Sequence, residues 1–196
     1  MPRAPSYTPD NLAELALMQF WVNGYNATSM DALVRSTGIS RHGIYTAYGD
    51  KHALFQACFT KYQELVVSPA FSAVEKPDAN LDSIAAYFEM QITAAEVAGL
   101  PGPGCFVTNS TTEIAPHDTD ILNFVAEHND RLRAGFLNVI TNVSKSSTHQ
   151  NELDQIAQLC VVFTNGLWSM SRVTSSAEEL RGSVALFLHL LKDKLS

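Results

Sequence analysis

The chain has 196 residues, 46% of them hydrophobic and 17% charged, which is ample for a buried core and excludes disorder by composition. Such a length suits one or two domains. The formal net charge of −7 argues against a wholly basic nucleic-acid binder.

The charge is unevenly spread. Residues 1–60 set Arg3, Arg35, Arg41 and Lys51 against Asp10, Glu14, Asp31 and Asp50 and are neutral, so the net acidity lies beyond them. An acidic body behind a neutral head tends to orient the head toward a polyanion. No apolar run approaches the ~20 residues that span a bilayer. Met1-Pro2-Arg3-Ala4-Pro5 carries no apolar signal segment, so a cytoplasmic protein without a membrane partner is expected. Cys58, Cys105 and Cys160 are odd in number and far apart, which fits neither a disulfide framework nor a zinc pattern.

Helical periodicity recurs along the chain and strand signals are sparse, so the fold class expected is all-α. Thr8-Pro9 predicts a helix start, with Thr8 as N-cap and Pro9 in the first turn. Leu12, Leu15, Ala16 and Phe20 follow on one face, and Gly24 ends the helix. Thr28-Ser29 caps a second helix that stops at Gly38. Ser40 caps a third that stops at Gly49, and Asp50 caps a fourth that runs toward Val66. Pro69 to Asn80 reads as a connection. Helical spacing resumes over Leu81, Ile84, Ala85, Phe88, Ile92 and Ala95, and Gly99-Leu100-Pro101-Gly102-Pro103-Gly104 interrupts it. Three further helical stretches are expected after a short one at Cys105–Ile114: Asp118–Val143, about Glu152–Arg172, and Ser176–Leu195. Ser176 and Glu179 fit a capping box.

Residues 28–51 carry the functional signal. Two short helices joined by a glycine-containing turn match a helix-turn-helix, with Leu33, Val34, Ile39 and Ile44 as the apolar plug. Gly38 suits a turn that requires positive φ. The second helix presents Arg41, His42, Gly43, Tyr45 and Thr46, and a small residue near its start permits close approach to a groove floor. Arg41 is suited to guanine or phosphate and Tyr45 to phosphate. The helix starts at Thr28-Ser29, Ser40 and Asp50-Lys51 offer backbone N–H groups to phosphates.

Gly24-Tyr25, Thr28-Ser29-Met30, Gly38-Ile39-Ser40, Ile44-Tyr45, Tyr48-Gly49-Asp50-Lys51 and Ala53-Leu54-Phe55 together resemble the DNA-binding head of TetR-family transcriptional regulators. The resemblance covers about residues 8–60. Gly104-Cys105-Phe106-Val107-Thr108-Asn109, with Glu113, resembles a body helix of the AcrR-like part of that family. The resemblance implies a helix-turn-helix DNA-binding domain over 1–55 and a helical ligand-binding and dimerisation domain over 56–196. It implies a homodimer through the last two helices that sets two recognition helices in successive major grooves of a pseudo-palindromic operator. It also implies that a small effector, bound in the body, releases the DNA. By position it carries over Arg41, His42, Gly43 and Thr46 as groove-facing and Thr28, Tyr45, Tyr48 and Lys51 as phosphate contacts, with a place in the core open for Tyr48. The chain departs from the family at His42, where a small residue is frequent, and at Ala47, where an aromatic or histidine is.

In the body, Phe88, Met90, Phe106, Phe124, Phe136, Phe163, Trp168 and Met170 are suited either to a core or to an apolar cavity between helices. Asn109, Glu113, His128 and Asn165 are the candidate polar groups of such a cavity. The expected ligand residues are thus Phe88, Phe106, Asn109, Glu113, Phe124, His128, Phe163 and Trp168. Between Lys76 and Arg131 there is no lysine or arginine but there are nine acids, which favours a neutral or cationic, apolar effector over an anionic one. Cys105, at a helix start, is either a small buried residue or a thiol activated by the helix dipole. The last two helices carry apolar residues on more than one face, which suits a subunit interface. Gly102-x-Gly104 is no dinucleotide fingerprint, the six histidines form no i,i+4 pair, and no nucleophile elbow is present. Catalytic residues, cofactors and metals are therefore not expected. The competing class is an all-α enzyme or carrier for a small apolar molecule.

Overall fold

A computed structural model of the chain describes residues 7–145 and 149–195, which are helical with no strand among them. Arg3 lies outside the described residues. Helix α1 (Pro9–Asn23) starts where Thr8 Oγ1 accepts from the Asn11 N–H at 3.2 Å and Pro9 occupies the first turn, where its missing N–H is not needed. Ser29, Ser40 and Asp50 cap α2 (Met30–Thr37), α3 (Arg41–Tyr48) and α4 (Lys51–Tyr62), accepting from Ala32, Gly43 and Ala53 at 3.1, 3.1 and 2.8 Å.

The chain stays helical past the point where Pro69 predicts a connection. A π-turn, Gln63–Val67, leads into the single turn of α5 (Ser68–Phe71), with Pro69 in that first turn. Asn80 and Ser83 then form a reciprocal capping box on α6 (Leu81–Ala98). Helices α7 (Phe106–Glu113), α8 (Thr119–Val143), α9 (Gln150–Met170) and α10 (Ala177–Leu195) follow. At α10 the expected capping box is half made. Ser176 Oγ accepts from the Glu179 N–H at 3.2 Å, but the Glu179 carboxylate accepts from the Thr174 hydroxyl at 2.6 Å instead of from Ser176.

Two compact units result, residues up to Val66 with Phe106–Val125, and Val67–Cys105 with Ala126 onward. The expected division at residue 55 falls inside α4. In the first unit α1 packs along α4, burying Leu12, Ala16 and Phe20 against Leu54, Phe55 and Cys58. Phe106 extends that core, its ring centroid 5.3 Å from Phe55, 4.9 Å from Phe59 and 5.6 Å from Tyr62, and Phe124 stacks on Phe59 at 5.1 Å.

In the second unit α6 packs on α10 and α5. Phe71 is fully buried, edge-on to Tyr87 at 5.1 Å and to Phe136 at 5.3 Å. Gly135 makes room for it, since a Cβ there would lie 2.5 Å from Phe71 Cε1. Among the described residues no helix is long and apolar enough to cross a membrane.

Candidate nucleic-acid interface

Helices α2 and α3 are locked by apolar and local polar contacts. Leu33, Ile39 and Ile44 are buried between them. The Thr37 hydroxyl donates to the Leu33 carbonyl at 2.7 Å and accepts from the Ile39 N–H at 3.2 Å, which orders the turn around Gly38, a left-handed residue at φ 71°. The outward face of α3 then presents Arg41, His42, Tyr45 and Thr46, all exposed, with the caps Ser40 and Ser29 exposed as well. Arg41 Nη2 donates to Asp31 Oδ1 at 2.6 Å across the helix pair. Four donor-bearing side chains on one short exposed helix match what base edges and phosphates require.

Four expected contacts sit differently. Gly43 is buried, and a Cβ there would meet the Tyr7 hydroxyl at 2.6 Å and Ile39 Cγ2 at 2.9 Å, so its lack of a side chain serves the helix crossing instead of the outward face. Thr28 is fully buried, and its hydroxyl donates to the Gly24 carbonyl at 2.6 Å. The Tyr48 hydroxyl donates to the Pro9 carbonyl at 2.6 Å. Lys51 Nζ donates to the Tyr25 and Thr28 carbonyls at 2.9 and 3.0 Å, 4.0 Å from the Tyr25 ring centroid. Burial pushes the Lys51 pKa down, while the Glu113 charge acts the other way. An ammonium committed to two carbonyls holds the α1–α2 turn and is not displayed for a phosphate.

The expected ligand residues divide between the units. Phe106, Asn109, Glu113 and Phe124 belong to the first. Phe106 is 1% exposed in its aromatic core. The Glu113 carboxylate accepts from the Tyr25 and Asn26 N–H groups at 3.0 and 2.7 Å and so faces the α1–α2 turn. Phe88, His128, Phe163 and Trp168 belong to the second unit, where Phe88 meets Phe163 edge-on at 5.7 Å and Phe163 stacks on Phe187 at 3.9 Å. Trp168 Nε1 is buried, with the Tyr87 hydroxyl as its polar neighbour. Asn165 Nδ2 donates to Asn129 Oδ1 at 3.2 Å.

Most of the nine acids between Lys76 and Arg131 lie on the surface. Glu89 and Glu96 bind Arg181, and the Arg181 guanidinium holds the Glu89 carboxyl below the usual carboxylate range. Asp118 pairs with His52 at 2.6 Å, and Asp120 accepts from Gln56 at 3.0 Å. The Glu113, Asp118 and Asp120 contacts join α4 and the α1–α2 turn to residues more than sixty positions away, and sequence reasoning missed them. The one local signal is Gly24, where a Cβ would lie 2.6 Å from Glu113 Oε2. All three cysteines are buried and outside any disulfide, and burial pushes the Cys58 thiol up and that of Cys160 up to about 12.

Residues 12–58, from α1 to α4, match the family model for bacterial regulatory proteins of the tetR family. The uncharacterized HTH-type transcriptional regulator YezE of Bacillus subtilis (strain 168) is 24% identical over 179 residues, covering 90% of this chain and 92% of that protein. A TetR-family transcriptional regulator from Cytophaga hutchinsonii superposes with a TM-score of 0.80 at 17% identity, over 94% of this chain and 93% of the other. A cysteine mutant of the TetR-family regulator CifR, solved with 26 bp double-strand operator DNA, gives a TM-score of 0.77 at 17% identity, over 95% and 98%. The solved structures share the fold, and the family match falls on the helix pair that carries the exposed face of α3. The head of the chain, residues 12–58, thus matches the tetR family of bacterial regulatory proteins, and the fold as a whole is shared with solved TetR-family transcriptional regulators.

Proposed function

We propose that the protein is a homodimeric repressor that holds a pseudo-palindromic operator and releases it when a small apolar effector, neutral or cationic, binds the second unit. The observation that carries the reading is the outward face of α3, where Arg41, His42, Tyr45 and Thr46 stand exposed behind a Ser40 cap. Arg41 reads a base and Ser29, Ser40 and Tyr45 hold phosphates. Gly43, Thr28, Tyr48 and Lys51 support this face from within.

Dimerisation rests on a row of exposed apolar side chains on α9 and α10: Leu159 and Val162, each 57% exposed, with Leu186 at 59% and Leu190 at 58%. An open groove of about 520 Å³ beside them, lined by Phe163, Leu167, Met170 and Leu180, suits side chains of a second copy. Effector binding rests on the aromatic pair Phe88–Phe163 and on Trp168 Nε1. The absence of lysine and arginine between Lys76 and Arg131 supports a neutral or cationic effector.

The test is a mobility shift on duplexes that the protein itself selects from a random-sequence pool, with light scattering to count chains. Arg41→Ala and Tyr45→Phe are expected to weaken binding at least tenfold with the fold intact. Arg35 and Arg41 are the exposed lysine or arginine side chains among the described residues of the first unit. Two such units release about four counterions, so log affinity falls with log salt with a slope of about −4 or shallower. A monomer indifferent to every duplex refutes the reading.

A further inference from the structure

We propose that Glu113, at the end of α7, is a positioning residue for operator binding, and that it acts by clamping the α1–α2 turn. The inference rests on the operator-binding reading of the α3 face.

The turn from Gly24 to Ser29 has few hydrogen bonds of its own. The Thr28 N–H donates to the Tyr25 carbonyl at 3.3 Å and the Thr28 hydroxyl to the Gly24 carbonyl. Four contacts to its backbone come from outside it. Glu113 Oε2 and Oε1 accept from the Tyr25 and Asn26 N–H groups at 3.0 and 2.7 Å. Lys51 Nζ takes the carbonyls of Tyr25 and Thr28. A carboxylate thus holds the donors and an ammonium the acceptors of one turn. Hydrogen bonds to charged groups are roughly twice as strong as neutral ones, so the clamp is stiff.

The approach is close: Gly24 sits at φ 82°, which disfavours any side chain, and a Cβ there would fall 2.6 Å from Glu113 Oε2. The carboxylate is also firmly mounted. α7 is anchored at its other end by Phe106, packed on Phe55, Phe59 and Tyr62. The turn leads directly into the Ser29 cap of α2, and α2 carries α3 through Leu33 and Ile44. The pose of the outward α3 side chains therefore depends on where Glu113 holds the turn.

Electrostatics and positioning predict opposite signs for one substitution. Glu113 is an anion in the unit that binds a polyanion, so neutralising it strengthens DNA binding if charge alone matters. If it positions the head, neutralising it weakens binding. Glu113→Gln removes the charge and one acceptor. Glu113→Asp keeps the charge but is one methylene too short to span both N–H groups.

The experiment measures affinity of the full chain for a duplex selected from a random pool and for an unselected duplex, with melting followed by circular dichroism. Both variants are expected to lose at least tenfold on the selected duplex and to keep their affinity for the unselected one. Hydrogen exchange at the Tyr25 and Asn26 amides is expected to accelerate in Glu113→Asp. A defect of folding alone lowers both affinities together and overturns the proposal. Tighter binding by Glu113→Gln with Glu113→Asp unchanged also overturns it. If neither variant folds, wild-type exchange decides: protected Tyr25 and Asn26 amides, protected further by the selected duplex, support the clamp, and amides exchanging at free-loop rates refute it. Wild-type protein that binds no duplex sinks the operator reading and the inference with it. Wild-type binding matched by both variants sinks the inference alone.

Discussion

Phe106→Ala tests whether a segment far along the chain belongs to the unit that carries the helix-turn-helix. Phe106 is 1% exposed, and its ring contacts Phe55, Phe59 and Tyr62 with centroids 5.3, 4.9 and 5.6 Å away. Truncating a phenylalanine so enclosed loses its transfer free energy and leaves a cavity, together about 3–5 kcal/mol. Domain stabilities are commonly about 5–15 kcal/mol, so the loss is a large fraction of the whole. The two tryptophans make the assay local. Trp21 lies in the first unit, edge-on to Tyr62 at 5.0 Å, and Trp168 lies in the second. In a Trp168→Phe background, fluorescence during urea unfolding reports the first unit alone. With a slope of about 2 kcal/mol per molar urea, the midpoint falls by about 1.5–2.5 M. An unchanged midpoint shows that residues 106–125 do not stabilise the first unit, and refutes their membership of it.

Two further substitutions probe one charge and one close contact. Burial opposes the charge of Asp118, but the Ile121 N–H and the His52 ring outweigh it and hold the carboxyl below the usual carboxylate range. A folded-state pKa below the unfolded one stabilises the fold above the ordinary carboxylate range, and this is lost as pH falls through the folded value. Asp118→Asn is therefore expected to flatten the acid limb of stability against pH and to lower stability at neutral pH. An acid limb as steep as wild type's excludes the Asp118 contribution. Gly135→Ala forces a methyl into the ring of Phe71, 2.5 Å from Cε1, and overpacking of this kind costs about 1–3 kcal/mol. Better helix propensity returns up to ~1 kcal/mol. In a Trp21→Phe background, Trp168 fluorescence is expected to report earlier unfolding, and a stabilised variant contradicts the close packing of Phe71 on Gly135.

What the sequence made legible was local. Thr8, Ser29, Ser40 and Asp50 announce four helix starts because a cap bonds an N–H two or three residues away, and the structure has all four. Gly24, Gly38 and Gly49 announce the matching ends for the same reason. Pro69 placed the connection three residues early, because here the proline falls in a first turn after a π-turn and the helix runs on to Phe71 before the chain turns.

Side-chain direction was harder, since periodicity fixes a face only where the face is continuous. On an eight-residue helix, Gly43 lies one position from the buried Ile44 and two from the exposed Tyr45, and turns inward. Lys51 and Glu113 were illegible for a different reason. Each is a charged residue whose local surroundings fit a solvent-facing role, and each is committed to backbone groups of one turn, 23 to 88 residues away in sequence. Residue type suggested a phosphate for the first and an effector for the second. The backbone accounts for both placements, because a short turn between two capped helices leaves N–H and C=O groups that neither helix satisfies. Charged side chains of opposite sign, brought in from α4 and α7, are what satisfies them. The family match therefore covers the helix pair proposed to meet DNA, while part of what holds that pair in place is written some sixty residues further on.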